Sequence, residues 1–336
     1  MVIILNANGV IYLLAKRKET VSVEKSPKLG WDNQNFWVKL AKNVKRDYWL
    51  YLFIIPTMIW YIVFCYAPMG GIITAFKKYT GFTSVAEAPW VGLKWFEQFF
   101  SSYYSTTVIR NTIIVSLYSL ATFILPIMFA LLINEVAHER LKKTIQTIMY
   151  APHFISMVVM VSILSLFFNG DYGLFNQLVK ALGGESHSYL TDPDAYRHLY
   201  VWSGVWQQLG WNSVIYVAAL SAVDPGLHEA AALDGASRIQ RIIHINIPTI
   251  MPTIVIMLIM RVGNIMSVGG DKAILMLNNL NAETAELIAT YVYNRGLLAG
   301  DYGVGTAVGL FTNIINLIML LTVNWISSKI SETSLL

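Results

Sequence analysis

The sequence is short of charge. Asp, Glu, Lys and Arg make up 13% of its 336 residues, about half the share of a soluble domain, while hydrophobic residues make up 55%. With a mean hydropathy of +0.53, that balance excludes an ordinary water-soluble enzyme and points to lipid as the solvent. Cys65 is the single cysteine, so no intramolecular disulfide is possible. The six histidines, His138, His153, His187, His198, His228 and His244, are scattered, with no HxxxH pair and none beside Cys65, which speaks against a metal site. No GxxxxGK[ST] loop occurs, and GGDKA at 269–273 lacks its spacing and hydroxyl, so this chain has no P-loop for ATP. There is no GxSxG elbow and no pair of intramembrane acids, which excludes the corresponding hydrolase and proton-relay chemistries. A net charge of +4 is too small for a nucleic-acid footprint.

What the sequence has is long apolar runs. Tyr48–Phe76, Asn111–Asn134, Thr144–Gly170 and Leu199–Val223 contain no Asp, Glu, Lys or Arg. Each exceeds the roughly 20 residues a helix needs to cross a bilayer. Tyr302–Ser328 is likewise uninterrupted, and Ile245–Gly270 is broken only by Arg261. The expectation is an all-α polytopic membrane protein with six transmembrane helices over residues 48–328. A cytoplasmic arm, 1–47, and a tail, 329–336, flank that domain. Lys and Arg divide fifteen to seven between alternate connections, in favour of the side holding both termini. The positive-inside tendency therefore puts both termini in the cytoplasm and the loops 77–108, 171–198 and 271–301 outside, with short helices at most.

The first fifteen residues are apolar but carry Asn6 and Asn8 and have their positive charges after the run, so a cleaved signal peptide is not expected. From Trp31 to Arg46, Trp31, Phe36, Trp37, Leu40 and Val44 keep helical spacing, with Lys39, Lys42, Lys45 and Arg46 between them. This predicts an amphipathic helix on the cytoplasmic leaflet.

The cytoplasmic connection 224–248 is the most informative segment. Pro225-Gly226 stops the preceding helix, and Glu229-Ala230-Ala231-Ala232-Leu233 is a strong helix former. Gly235 can take the positive φ of a sharp bend. Ser237 can cap a second short helix with Arg238 and Arg241 on one side and Ile239, Ile242 and Ile243 on the other, before Pro248 starts the fifth span. The product is a helix-bend-helix whose small Ala face admits close approach, with Glu229 and Asp234 as anchors for a partner's cations.

EAAALDGA followed by ten residues and IP resembles the EAA loop of ABC importer inner-membrane permeases, whose pattern is EAA, DGA, then I-x-L-P. Glu229, Ala230, Ala231, Asp234, Gly235, Ala236, Ile245 and Pro248 fall in place; Ile247 departs mildly from Leu. Further stretches, including YLFIIPTMIWYIVFCYAPMGGIITAFKKY at 51–79, WVGLKWFEQFF at 90–100 and ETAELIATYVYNRGL from 283, resemble the polysaccharide/oligosaccharide permeases of the carbohydrate-uptake group. The likeness covers about residues 45–336, and the closing Ser334-Leu335-Leu336 departs from that group's aromatic end.

The resemblance implies a type I ABC importer permease fold. It implies a heterodimer with a second homologous permease, two cytoplasmic ATPase subunits that bind the ATP and Mg, and an extracellular or periplasmic substrate-binding protein that delivers an oligosaccharide. No cofactor is expected in this chain, which is read as a transport subunit of the bacterial cytoplasmic membrane and not as an enzyme. The loop would dock in the ATPase, with Gly235 at the bend, Glu229 as tether, and Arg238 and Pro248 flanking.

Sugars are hydroxyl-rich with apolar faces, and the fourth span mixes aromatic and amide groups: Trp206, Gln208, Trp211, Asn212 and Ser213. Resemblance to the maltose permease adds Leu209, Gly210 and, in the fifth span, Asn264 as lining positions. The competing reading is that Trp and Tyr here form interfacial belts and that Gln and Asn bond between helices. Arg261, a charge well within a span, either meets a uronic or sialic carboxylate or pairs with a helix-end carbonyl or an acidic residue of the partner permease. The alternatives for the whole chain are an ABC permease for polyamine, peptide or phosphate, and a self-contained secondary carrier. The latter should show intramembrane acids and a repeated half, and neither is visible.

Overall fold

The computed structural model describes residues 3–5, 11–13, 43–82 and 84–330, in two compact units, Met1–Ala67 and Pro68–Leu336. In the first unit, β1 (Ile3–Leu5) and β2 (Ile11–Leu13) pair antiparallel, with Ile4 opposite Tyr12. Every longer element is helical, which gives the expected all-α class. The predicted amphipathic helix lies outside the described residues except for 43–46, which are helical. Helix α1 (Tyr48–Tyr61) opens the first span, whose helical residues run from Tyr48 to Phe76 as expected from the sequence.

In the second unit, α2 (Tyr103–Ala121) and α3 (Ile124–Asn134) form one run that begins at Tyr103 instead of Asn111. The earlier start follows from Ser102, whose side chain accepts the Tyr104 N–H. The break between the two helices falls at Thr122-Phe123 because Pro126 has no N–H for the Thr122 carbonyl.

The third expected span is not one helix. Helix α4 (Glu139–Tyr150), extended by a 3-10 turn to Phe154, meets α5 (Met157–Phe168) at 99°. Pro152 breaks the ladder, Ile155 and Ser156 are extended, and the Ser156 hydroxyl caps α5.

Helix α6 (Pro193–Leu220) begins six residues before the expected Leu199, because Asp192 caps it and Pro193 suits the first helical position. At 28 residues it is about 42 Å long, enough to span, although Trp, Gln, Asn and Gly make it less apolar than the others. After α7 (Pro225–Leu233), α8 (Arg238–Arg241) continues through a π segment, Ile242–Asn246, into α9 (Ile247–Val262). The fifth span is thus Arg238–Val262 and not Ile245–Gly270. A short α10 (Gly270–Met276) and further short helices lead to α11 (Tyr302–Ile330), the last span.

Burial concentrates in clusters. Val115, Met160, Tyr196, Met276 and Leu287 form one, joining α2, α5, α6 and α10; Ile127, Leu131, Tyr216, Leu220 and Ile250 form another, joining α3, α6 and α9. Buried amides tie the segment between the fifth and last spans to the other helices. Asn111 donates to the Glu283 and Glu286 carbonyls at 2.8 and 3.2 Å and accepts from Arg197 at 3.0 Å. Asn316 on α11 accepts the Met266 N–H at 2.9 Å. The bonds to the Glu283 and Glu286 carbonyls and to the Met266 N–H each satisfy a backbone group that lipid could not.

Candidate functional site

Two regions carry the sequence-derived residues. The first is the connection after α6, where Asp224 accepts the Gly226 N–H at 2.9 Å and Pro225 starts α7. The preceding helix has already ended at Leu220, so Pro225 opens a helix where the sequence suggested that it ends one. Gly235 bends the chain with φ +79°, and since a Cβ there would meet nothing within 4 Å, conformation alone is what requires glycine. Ser237 and Gln240 then form a reciprocal capping box, with Gln240 N–H to Ser237 Oγ at 3.3 Å and Ser237 N–H to Gln240 Oε1 at 2.8 Å.

The surface this produces is open. Glu229, Ala230, Asp234, Arg238 and Pro248 are exposed, Ala231 and Ala236 are half-buried, and Leu233 is 90% exposed beside Ile239 at 69%. Among the described residues no ion pair engages Glu229, Asp234 or Arg238. Pro248 does not start the fifth span; it sits in a helix that already began at Arg238.

The second region is a cavity of about 640 Å³ between α2–α3, α6, α9 and the segment 264–272. It brings together five of the sequence-derived residues: Gln208, Leu209, Asn212, Arg261 and Asn264. Asn264 is not in the fifth span but in the turn that ends it, its Nδ2 donating to the Met260 carbonyl at 3.0 Å. Gln208 also meets His153 Nδ1 at 2.9 Å, which ties α6 to the bend of the third span.

Four expected lining residues lie elsewhere. Gly210 faces α4, where a Cβ would come 2.1 Å from the Met149 carbonyl oxygen. Ser213 is buried and donates to the Gly210 carbonyl at 2.6 Å. The Trp211 ring stacks on His153 at 4.2 Å, and Trp206 is half exposed outside the cavity. For Gly210 and Trp211, then, contact with the third span is the role the packing supports.

Sequence reasoning missed Tyr200, Gly204, Asp271 and Lys272 on the same wall. Gly269 and Gly270, with φ +127° and +53°, turn the chain back so that Lys272 enters the wall from what the sequence reads as an outer loop. The Lys272 ammonium donates to the Tyr200 carbonyl at 2.5 Å and lies 4.6 Å from that ring's centroid. Burial lowers it to about 7. The adjacent glycines were the available signal. A second cavity, of about 730 Å³ between α5 and residues 275–278, holds none of the expected residues. Among the described residues no cluster of His, Cys, Asp and Glu could hold a metal ion.

Long apolar helices around a cavity of mixed apolar and polar lining, with an exposed helix-bend-helix on a single connection, define a multi-pass membrane permease. Residues 122–332 match the family described as binding-protein-dependent transport system inner membrane component, and the chain belongs to that family. It is the permease subunit of an ABC importer, a transport component and not an enzyme. Among curated relatives, the polygalacturonan/rhamnogalacturonan transport system permease protein YteP of Bacillus subtilis is 40% identical over 294 residues, 87% of this chain and 91% of that protein. Protein LplB of the same organism is 40% identical over 293 residues, covering 87% and 92%. A chain of the bacterial alginate ABC transporter, solved in complex with an alginate pentasaccharide-bound periplasmic protein, superposes with a TM-score of 0.82 at 37% identity, covering 88% of this chain and all of that one.

Proposed function

We propose that this chain forms, with a second homologous permease, the membrane pathway of an importer for acidic oligosaccharides of the uronide type, handed over by an extracellular binding protein. Two cytoplasmic ATPases drive it and hold the ATP and Mg; this chain carries no cofactor, and its termini are cytoplasmic. Helix α7 docks on an ATPase through Glu229 and Asp234, with Ala230, Ala231 and Ala236 permitting close approach and Arg238 flanking the bend at Gly235. The passing sugar meets Gln208, Asn212 and Asn264 as hydrogen-bonding groups, Leu209 as an apolar one, and Arg261 as a cation.

One observation carries this reading. A single 25-residue helical run, Arg238–Val262, has the docking bend at one end and the cavity residues Met257, Met260 and Arg261 at the other. At 1.5 Å per residue it is a lever of about 37 Å, so displacement of α7 on ATPase closure reaches the cavity wall directly. The uronide class is supported by Arg261 in that wall and by the polygalacturonan and alginate systems of the relatives.

Glu229→Lys and Gly235→Pro test the docking role. Both variants are expected to insert in the membrane normally, to lose the ATPase subunits on purification and to abolish sugar uptake. Retained ATPase association with unchanged uptake in both would overturn it.

A further inference from the structure

Lys272 is 6% exposed, yet it sits in the wall of a cavity. An ammonium offers three donors. One is taken by the Tyr200 carbonyl, and the Tyr200 ring covers another side. A Cβ on Gly204 would come 3.2 Å from Nζ, so the absence of a side chain at 204 leaves the ammonium room on its cavity side. Among the described residues the ion pairs are Arg46–Asp47, Lys143–Glu139, His187–Asp192 and Arg295–Asp301, and none includes Lys272 or Arg261. The wall therefore holds two cations without ion-pair partners and one carboxylate, Asp271, which is exposed. A buried cation without an anion is costly, and an anion entering the cavity removes that cost.

We propose that Lys272 is a specificity-determining residue of the pathway, its ammonium pairing with a ring carboxylate of the oligosaccharide as that ring passes Gly204. This rests on the oligosaccharide reading above and adds the group that separates acidic from neutral chains. Arg261 supplies permanent positive charge, whereas Lys272, lowered to about 7 by burial, takes up a proton when a carboxylate arrives. Burial alone shifts Lys272, with no charged neighbour contributing. The titratable or charged groups on the elements around it are Asp194, Tyr196, Arg197, His198, Tyr200 and Tyr216 on α6, Arg261 on α9, Asp271 on its own helix and Tyr291 on the helix Ile288–Tyr291; α5 carries none.

The test uses the complete importer in lipid nanodiscs without binding protein. Trigalacturonate and its carboxyl-reduced, neutral counterpart are titrated by calorimetry at pH 8 in two buffers of different ionisation enthalpy. For the wild type, binding of the acid is expected with uptake approaching one proton, and binding of the neutral sugar with none. Lys272→Met should weaken acid binding about ten-fold or more and abolish the uptake, leaving the neutral sugar within two-fold. Lys272→Arg should keep the affinity and lose the uptake.

Equal losses for both sugars in Lys272→Met, or unchanged acid binding, would overturn the proposal, since a purely structural lysine does not distinguish the ligands. A wild type that binds the neutral sugar but not the acid would overturn it while leaving sugar import standing. A wild type that binds neither sugar would overturn both.

Discussion

Gly210→Ala separates helix packing from sugar contact at a position where the sequence left both readings open. The added methyl group would lie 2.1 Å from the Met149 carbonyl oxygen, 2.5 Å from its carbon and 2.9 Å from Tyr150 Cδ1. Two of those atoms belong to the backbone of α4, so no rotamer change relieves the contact; α4 and α6 must separate by about 1 Å, and the dispersion contacts along their seam weaken. Overpacking of this kind costs about 1–3 kcal/mol, and 2 kcal/mol is a factor of about 30 in the ratio of folded to unfolded protein. The assay is thermal melting of the purified protein in nanodiscs, followed by intrinsic tryptophan fluorescence, to which Trp211, stacked on His153 beside this seam, contributes. A lower melting temperature is expected, together with unchanged preference among sugars in the folded fraction. A variant that melts like the wild type but changes its sugar preference would refute the packing assignment and return Gly210 to the pathway.

Asn246 is fully buried and among the described residues neither polar atom of its side chain has a partner, so Asn246→Leu should raise the melting temperature by removing an unsatisfied amide worth about 1–3 kcal/mol; a fall would show that the amide is engaged. The Lys272 ammonium titrates near 7 in the folded protein against 10.5 for the ordinary side chain, so between those values the unfolded chain binds the extra proton. Stability should therefore rise with pH from about 7 to 10.5, the full penalty being present below 7 and the total on the order of a few kcal/mol. Melting curves of wild type and Lys272→Met across that range check it, because only the wild type should show this added slope.

Much of the architecture was legible because it is written in local terms. Absence of charge over 20 or more residues marks spans whatever the partner helices do, and Tyr48–Phe76 and the start of α11 at Tyr302 fall where that rule puts them. The helix-bend-helix was equally local: a helix former, a glycine able to take positive φ, and a serine cap, to which the structure adds Gln240 as reciprocal partner. What sequence missed depends on direction and on distant partners. Pro152 signals a kink, but the 99° turn also needs the extended Ile155 and Ser156 and the anchoring of the Ile155 carbonyl by Gln207 on α6 at 2.8 Å. Polar and aromatic residues of α6 share one sequence window yet point to different neighbours, so Gln208 and Asn212 meet the cavity while Gly210 and Trp211 meet the third span. Lys272 was hidden by the double-glycine reversal, since a lysine beyond a span's end reads as exposed until the chain is seen to fold back.

The most direct measurement is ATP hydrolysis by the importer reconstituted in lipid with its second permease and ATPases, with binding protein either empty or loaded from a panel of acidic and neutral oligosaccharides. Hydrolysis is expected to rise with protein loaded by a uronide chain and to stay at the basal rate in Gly235→Pro. Uptake driven by an ion gradient, with no associated ATPase and no response to loaded binding protein, would contradict ATP-driven import.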